Sequence, residues 1–175
     1  MASFVVEGGQ SLCGAIRPQG NKNAALPAIA ASLLGSSPTI LKNIPRILDV
    51  VTMLEILESL GAEVTWEDQN IVCIDPRSVR SGTIDQALAQ KIRASLLLAG
   101  PLLARFGRVQ LPPPGGDVIG RRRMDTHFLA FESLGADVSL NSGFEIECRT
   151  LQGADIFLDE PSVTATENAI MAAVL

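Results

Sequence analysis

Tyrosine is absent from this 175-residue chain, and aromatic side chains of any kind are few: six Phe and one Trp. A module that reads single strands of nucleic acid by stacking bases needs more than this, so aliphatic residues must fill the core. Basic charge is also short. Lys and Arg number 14 against 19 Asp and Glu, a net charge of −5, which is the wrong sign for a general phosphate-backbone binder. Nucleic acid is therefore not an expected partner, although a local group of cations can still receive a small anion. The cysteines, Cys13, Cys73 and Cys148, are odd in number and far apart. They suit neither a disulfide framework nor a zinc site, and no metal or other cofactor is expected; reduced thiols in a cytoplasmic protein are the plain reading. Met1-Ala2-Ser3-Phe4 has no basic segment leading into an apolar one. The longest apolar run, Leu96 to Ala104, contains Gly100 and Pro101 and is too short to span a bilayer. The expectation is a soluble, cytoplasmic protein with no membrane partner.

What the chain does have is 47% hydrophobic residues, enough for a sizeable core, and a repeat. Glu58-Ser59-Leu60-Gly61-Ala62-Glu63-Val64 returns 74 residues later as Glu132-Ser133-Leu134-Gly135-Ala136-Asp137-Val138. Lys22, Arg93 and Thr164 each open an Ala/Leu-rich stretch, and the three starts are 71 residues apart. A fixed period implies one supersecondary unit used several times. In the first unit an apolar helix is expected from about Lys22 to Leu34, stopped by Gly35. A strand follows at Thr39–Lys42, and Val50, Leu54, Leu57 and Leu60 stripe an amphipathic helix from about Leu48. Strands at Glu63–Trp66 and Ile71–Ile74 close the unit through a turn at Asp68-Gln69. The second unit repeats this order through 108–111, 126–134, 137–140 and 144–148. A third opens with a strand at Asp155–Leu158 and a helix from about Val163. The approximate limits of the units are 22–75, 76–150 and 151–175. Leu175 falls within an apolar helical run without a cap, so the chain is expected to be a fragment.

Four stretches carry candidate chemistry. Lys22 stands in the first turn of a helix behind Gly20-Asn21, where a cation opposes the helix dipole unless an anion offsets it; such a helix start suits an anion. Arg93 holds the equivalent position in the second unit, unless its helix begins earlier, near Ile84. The stretch from Leu111 to His127 replaces a short connection with a Pro/Gly loop, and long loops in compact repeats tend to carry function. Gly115-Gly116 permits close backbone approach, Asp117 at the tip could act as a general acid, and Arg121, Arg122 and Arg123 suit phosphate. Asp125 is an N-cap candidate, and His127 is the chain's only histidine. Ser162-Val163-Thr164 opens the third apolar helix with hydroxyls and free amides. The plain alternatives at these positions are a surface Lys, a helix Arg paired with an acid, a solvated Arg cluster, a turn Asp and a capping Ser.

Taken in order, Gly20-Asn21-Lys22-Asn23-Ala24-Ala25-Leu26-Pro27, Arg93-Ala94-Ser95, Gly100 to Gly107, Gly115-Gly116-Asp117-Val118-Ile119-Gly120 and Ser162-Val163-Thr164-Ala165-Thr166 resemble the UDP-N-acetylglucosamine enolpyruvyl transferase family over nearly the whole chain. The related shikimate-pathway enzyme fits them less well. The resemblance implies an inside-out α/β barrel of two domains built from repeated βαβαββ units. It assigns residues 1–21 to strands of the other domain and 22–175 to an incomplete nucleotide-sugar domain. The implied reaction is transfer of enolpyruvyl from phosphoenolpyruvate to the 3-hydroxyl of UDP-N-acetylglucosamine, in peptidoglycan precursor synthesis, with the missing C-terminal half of the same protein as partner. The chain alone is expected to be inactive. By resemblance Lys22 and Arg93 hold phosphoenolpyruvate, Arg122 assists on its phosphate, and Asn23 contacts the sugar. Arg122, Arg123, Met124, Asp125, Thr126 and His127 line the nucleotide stretch, with Ser162, Val163 and Thr164. Three departures stand out. Asp117 occupies a position commonly held by Cys, which removes the thiol that fosfomycin attacks. Arg123 replaces a common Pro, and Glu160 replaces a Lys found in some members. The alternatives are a non-catalytic nucleotide-sugar-binding module or a paralogue with the same fold.

Overall fold

The structure, a computed structural model, describes residues 3–116, 123–140 and 143–175. Helix α1 (Lys22–Ala31) runs into a 3-10 turn at Ser32–Leu34 and stops at Gly35, whose backbone is extended rather than left-handed (φ −76°, ψ 157°). Strand β1 (Thr39–Lys42), helix α2 (Leu48–Ser59) and strands β2 (Glu63–Asp68) and β3 (Ile71–Asp75) complete the first unit. The hairpin turn falls at Gln69-Asn70, one residue later than the sequence suggests. A bulge between Trp66 and Asp68 inserts an extra residue into β2.

The second unit starts with a short helix α3 (Gln86–Ala89) and a 3-10 helix at Arg93–Leu98 that passes directly into α4 (Ala99–Phe106). Strand β4 (Arg108–Leu111), helix α5 (Asp125–Ser133) and strands β5 (Asp137–Leu140) and β6 (Phe144–Glu147) follow, and α6 (Val163–Ala173) opens the third unit. Both sheets are antiparallel with the last strand in the middle, β1-β3-β2 and β4-β6-β5. The echo in sequence is thus an echo in topology. Sheet two also gains a parallel bridge between Thr83 and Gln110, held by Ile84 N–H to the Gln110 carbonyl at 3.0 Å and Gln110 N–H to Gly82 at 2.9 Å. This adds the leading strand of a βαβαββ unit, connected in parallel through α3 and α4 as parallel pairing requires.

The apolar helices lie inside. Helix α1 buries Ala25, Leu26, Ile29 and Ala30, α4 buries Ala99 to Leu103, and α6 buries Ala165, Asn168, Met171 and Ala172. The sheets lie outside, with β2 turning four of its six side chains to solvent. Arg105 ties the two units together: its guanidinium donates to the Leu33 carbonyl (3.0 Å) and to the Pro76 carbonyl (2.9 Å), and burial lowers its pKa. Among the described residues, no helix is long and apolar enough to cross a membrane.

One expected element does not form. Residues 155–158 are irregular, and Phe157 is 89% exposed. A place in a repeat does not by itself make a strand; the ladder needs a neighbour, and no described strand lies beside this segment. Residues 3–20 are likewise irregular and exposed, Phe4 and Leu12 almost completely.

Leu60 and Leu134 cap the ends of α2 and α5, and each helix then leaves through a glycine with positive φ, Gly61 at 102° and Gly135 at 90°. The bonds match as well: Ala62 N–H to Leu57 and Ala136 N–H to Phe131, both 3.0 Å. Replacing either glycine by Ala should cost on the order of 1 kcal/mol through the backbone conformation alone. Gly61→Ala should cost more, because its added carbon would lie 2.9 Å from the Ser78 carbonyl oxygen while Gly135 faces open space. Urea unfolding of the two variants checks this; equal midpoints would contradict it.

Candidate functional site

The second unit's helix start is built against the Pro/Gly loop. Arg93 is the first residue of its 3-10 helix, behind an extended Ile92 (φ −135°, ψ 141°). Gly115 N–H donates to the Ala89 carbonyl at 3.3 Å. A side chain could not be accommodated there, since a Cβ on Gly115 would fall 1.6 Å from the Gln90 carbonyl oxygen. Gly116, at φ +86°, brings its backbone against Arg93, with 3.0 Å from a built Cβ to the Arg93 nitrogen. The two glycines therefore fasten the loop to the start of the Arg93 helix. The expected acid Asp117 and the expected phosphate ligand Arg122 lie outside the described residues.

Arg123 organises the next stretch. The Arg93 guanidinium donates to the Arg123 carbonyl at 3.4 Å. The Arg123 guanidinium grips Asp125 through both carboxylate oxygens (2.6 to 3.0 Å), reaches Asp159 at 2.5 Å and pairs with Glu160 at 3.6 Å. Its hydrogen bonds to Asp125 and then Asp159 raise the Arg123 pKa, and the bond from Arg123 holds the Asp125 carboxyl below its ordinary value. Asp125 is not the N-cap expected of it. Met124 occupies the cap position without a side-chain bond, and Asp125 is the first residue of α5. The reason is competition: a bidentate, charge-assisted bond to Arg123 takes both oxygens, while the carboxylate still sits favourably at the positive end of the helix. A shallow hollow of about 280 Å³ opens here, lined by Arg123, Asp125, Phe128, Val138, Leu140 and Asp159 among others. A larger one of about 560 Å³, between Arg17, Pro18 and Gln19 and the Asn43 and Asn70 side, contains none of the expected site residues.

The remaining candidates divide by burial. Thr126 and His127 are 1% and 3% exposed, so their side chains face inward, and the Thr126 hydroxyl finds no partner among the described residues. Met124 is half-buried against the core. Burial, and then the positive charge of Arg93, push the His127 pKa down to about 4. His127 Nε2 lies 3.1 Å from Thr164 Oγ1, which joins the nucleotide stretch to the start of α6. Ser162 caps α6 as expected, accepting from Ala165 N–H at 3.3 Å, and Val163 and Thr164 are exposed.

Lys22 is also the first residue of its helix, the same position as Arg93. The anion that offsets its charge is Asp49 in the first turn of α2, 2.6 Å away. Asn23 is exposed, and its N–H is taken by the side chain of Asn21, which accepts at 2.7 Å and also takes Ala24 N–H at 3.2 Å. The sequence reading missed three of these parts: the cap on Asn21, the partner Asp49 and the buried Asn168. Asn before a helix was a usable signal for the first; the other two depend on contacts between distant residues.

If the Arg123 grip is what lowers Asp125, then Arg123→Ala should return that carboxyl toward its ordinary 3.8. The sign follows from the shift: stabilisation by a depressed carboxyl is present above its unfolded pKa and is lost as pH falls through the folded one. In Arg123→Ala the unfolding midpoint should therefore lose pH dependence only in the acid range. Carboxyl carbon NMR titration of Asp125 reads the shift directly, and an unmoved Asp125 would show that another group holds it.

Comparisons with known proteins supply the family. A profile described as EPSP synthase (3-phosphoshikimate 1-carboxyvinyltransferase) matches residues 6–175. The UDP-N-acetylglucosamine 1-carboxyvinyltransferase of Bradyrhizobium diazoefficiens is 57% identical over 171 residues, 98% of this chain and 40% of that protein. The protein of the same name from Treponema denticola is 55% identical over 175 residues, 100% of this chain and 41% of that protein. The chain thus spans about two-fifths of the length of the curated relatives it matches. Among solved structures, the enolpyruvyl transferase NikO from Streptomyces tendae shares the fold with a TM-score of 0.77 at 22% identity, over 94% of this chain and 39% of that one. An EPSP synthase from Acinetobacter baumannii does so with a TM-score of 0.66 at 17% identity, over 88% and 36%. With its repeated units, its buried helices and a profile match over nearly its whole length, the chain belongs to the EPSP synthase family of carboxyvinyl transferases.

Proposed function

We propose that this chain is a portion of a cytoplasmic enzyme that transfers enolpyruvyl from phosphoenolpyruvate to the 3-hydroxyl of UDP-N-acetylglucosamine, releasing phosphate, in peptidoglycan precursor synthesis. The observation that carries the reading is the meeting of Arg93, the Gly115-Gly116 turn, the Arg123–His127 stretch and the start of α6 at one edge of the buried helices. The relatives above 50% identity that share this stretch bear that activity in their names. Residues 22–175 form the nucleotide-sugar side of the cleft in this reading. Residues 1–21 pair into the other domain, which agrees with the exposure of Phe4, Val5, Val6, Leu12 and Ile16 within one short segment.

The chemistry assigns roles to residues. Lys22 and Arg93, each first in its helix, hold the anionic groups of phosphoenolpyruvate, with Arg122 assisting. Asn23 contacts the sugar, and Arg123, Met124, Asp125, Thr126, His127, Ser162, Val163 and Thr164 frame the nucleotide. Thr126 and His127 contribute through backbone and support, since their side chains are buried. Asp117 delivers a proton to the methylene carbon as the sugar 3-hydroxyl gives up its proton to solvent and its oxygen bonds to the neighbouring carbon, the double bond between the two carbons becoming single. Loss of a proton from that methyl group and departure of phosphate restore the double bond.

Titration of the purified chain with UDP-N-acetylglucosamine, with and without phosphoenolpyruvate, is the direct test. Binding without turnover is expected, because the cleft needs the other domain. Turnover by this chain at about 1–10³ s⁻¹ would refute the division of the site. A complete protein that binds the nucleotide sugar but never consumes phosphoenolpyruvate would be a binding module.

The assignment of Asp117 has its own test in the complete protein. Asp117→Cys should keep turnover and gain inactivation by fosfomycin, because a thiolate is a nucleophile that the carboxylate replaces poorly. Asp117→Ala should lose turnover while nucleotide-sugar binding persists. A normal rate in Asp117→Ala would make Asp117 a turn residue only.

A further inference from the structure

Asn168 is fully buried in α6, and each of its amide atoms faces a group whose character is fixed by the backbone. Its Oδ1 accepts from Gly100 N–H at 2.8 Å, and its Nδ2 donates to the Leu96 carbonyl at 2.8 Å. Gly100 lets the helices come this close, since a Cβ there would lie 2.5 Å from the Asn168 carbonyl oxygen. A peptide N–H can only donate and a carbonyl can only accept, so the amide has one possible orientation. The second Nδ2 hydrogen points at His127 Nδ1, 2.8 Å away. That nitrogen must then be an unprotonated acceptor, because a proton on it would set donor against donor. The remaining ring proton sits on Nε2 and points to Thr164 Oγ1 at 3.1 Å. The Thr164 oxygen is thereby used as an acceptor on its inner side, and its own proton turns outward on an exposed residue at the start of α6.

We infer that Asn168 is a positioning residue: it locks His127 as the Nε2–H tautomer and so makes the Thr164 hydroxyl a hydrogen-bond donor to an oxygen of the ligand bound at the start of α6. The donor assignment rests on the nucleotide-sugar reading of this edge, and the tautomer does not. Burial, and then the positive charge of Arg93, lower the His127 pKa to about 4, so the ring at neutral pH carries a single proton.

His127 is the chain's only histidine, so its ring nitrogens can be read without assignment ambiguity in a sample labelled with ¹⁵N-histidine. Long-range proton–nitrogen spectra should show a neutral ring protonated at Nε2 from about pH 5 to pH 8. In Asn168→Asp the carboxylate accepts from the ring, and Nδ1 should gain its proton. Should that variant fail to fold, the spectrum of the unaltered chain decides the tautomer by itself: protonation at Nδ1, or titration near the ordinary 6.5, overturns the proposal. The exposed Thr164 tests the donor. Thr164→Val should weaken UDP-N-acetylglucosamine binding by up to about tenfold, and Thr164→Ser should restore it. Unchanged affinity in Thr164→Val overturns the donor assignment alone. No binding by the unaltered chain overturns the donor assignment together with the function reading, while the spectrum still reports on His127.

Discussion

In a continuous α-helix the Leu96 carbonyl and the Gly100 N–H would be partners, and here the carboxamide of Asn168 stands between them, accepting from one and donating to the other. The position is where the 3-10 helix Arg93–Leu98 becomes α4, with a change of pitch that disturbs the regular ladder. The Leu96 carbonyl accepts Ala99 N–H in the 3-10 pattern and has a lone pair left for Asn168, whereas the Gly100 N–H is buried away from water, where an unpaired donor would be costly. A side chain from a third helix meets the need. The consequence is geometric: α6 must lie against α4 at a fixed height, and Gly100 must be glycine. The helix starts at Arg93 and Ser162, which carry the candidate site, are held relative to each other by the same amide. Its last hydrogen reaches His127 in α5, so three helices share one polar anchor.

The two complete sheets show what a repeat holds constant and what it releases. Strand order, the glycine exits from α2 and α5 and the positions of Lys22 and Arg93 are the same in both units. The connection between β1 and α2 is short, whereas that between β4 and α5 is the Pro/Gly loop. The near end of that longer connection is tied down at Gly115 and Gly116. A scaffold that is fixed twice and a loop that is free once is a plain route from a structural repeat to a single site.

Much of this was legible in the sequence, for identifiable reasons. The period-3.6 stripe in α2, the short apolar run of β3 and the repeated Ser-Leu-Gly-Ala exit that carries the order over to α5 are local signals, and they located those elements to within a residue or two. Asp155–Leu158 was expected as a strand from its place in the repeat and formed none, because pairing depends on a neighbour that the segment itself does not reveal. Asp125 followed the composition rule for a cap but was taken by an arginine two residues away. Asn168, within Thr166-Glu167-Asn168-Ala169, reads as an ordinary polar position on a helix. Only the packing of α6 on α4 turns it inward, and nothing in its neighbours along the chain carries that information.

The charge pattern of the candidate site is that of a net-negative protein with its cations Lys22 and Arg123 set against acids. Lys22 faces Asp49, and Arg123 faces Asp125, Asp159 and Glu160. These pairs are all substantially exposed, and exposed pairs hold weakly because water screens them and ordering long side chains costs entropy. A phosphate at a helix start meets aligned backbone N–H groups as well as the cation, which a surface carboxylate does not match. The acids are therefore best understood as counter-ions that keep the arginines and lysine ordered and compatible with an acidic surface until a ligand competes for them. Arg123 has a further constraint, because its carbonyl receives the Arg93 guanidinium while its side chain holds the segment before α6. One residue thus joins the start of the Arg93 helix to the segment before α6.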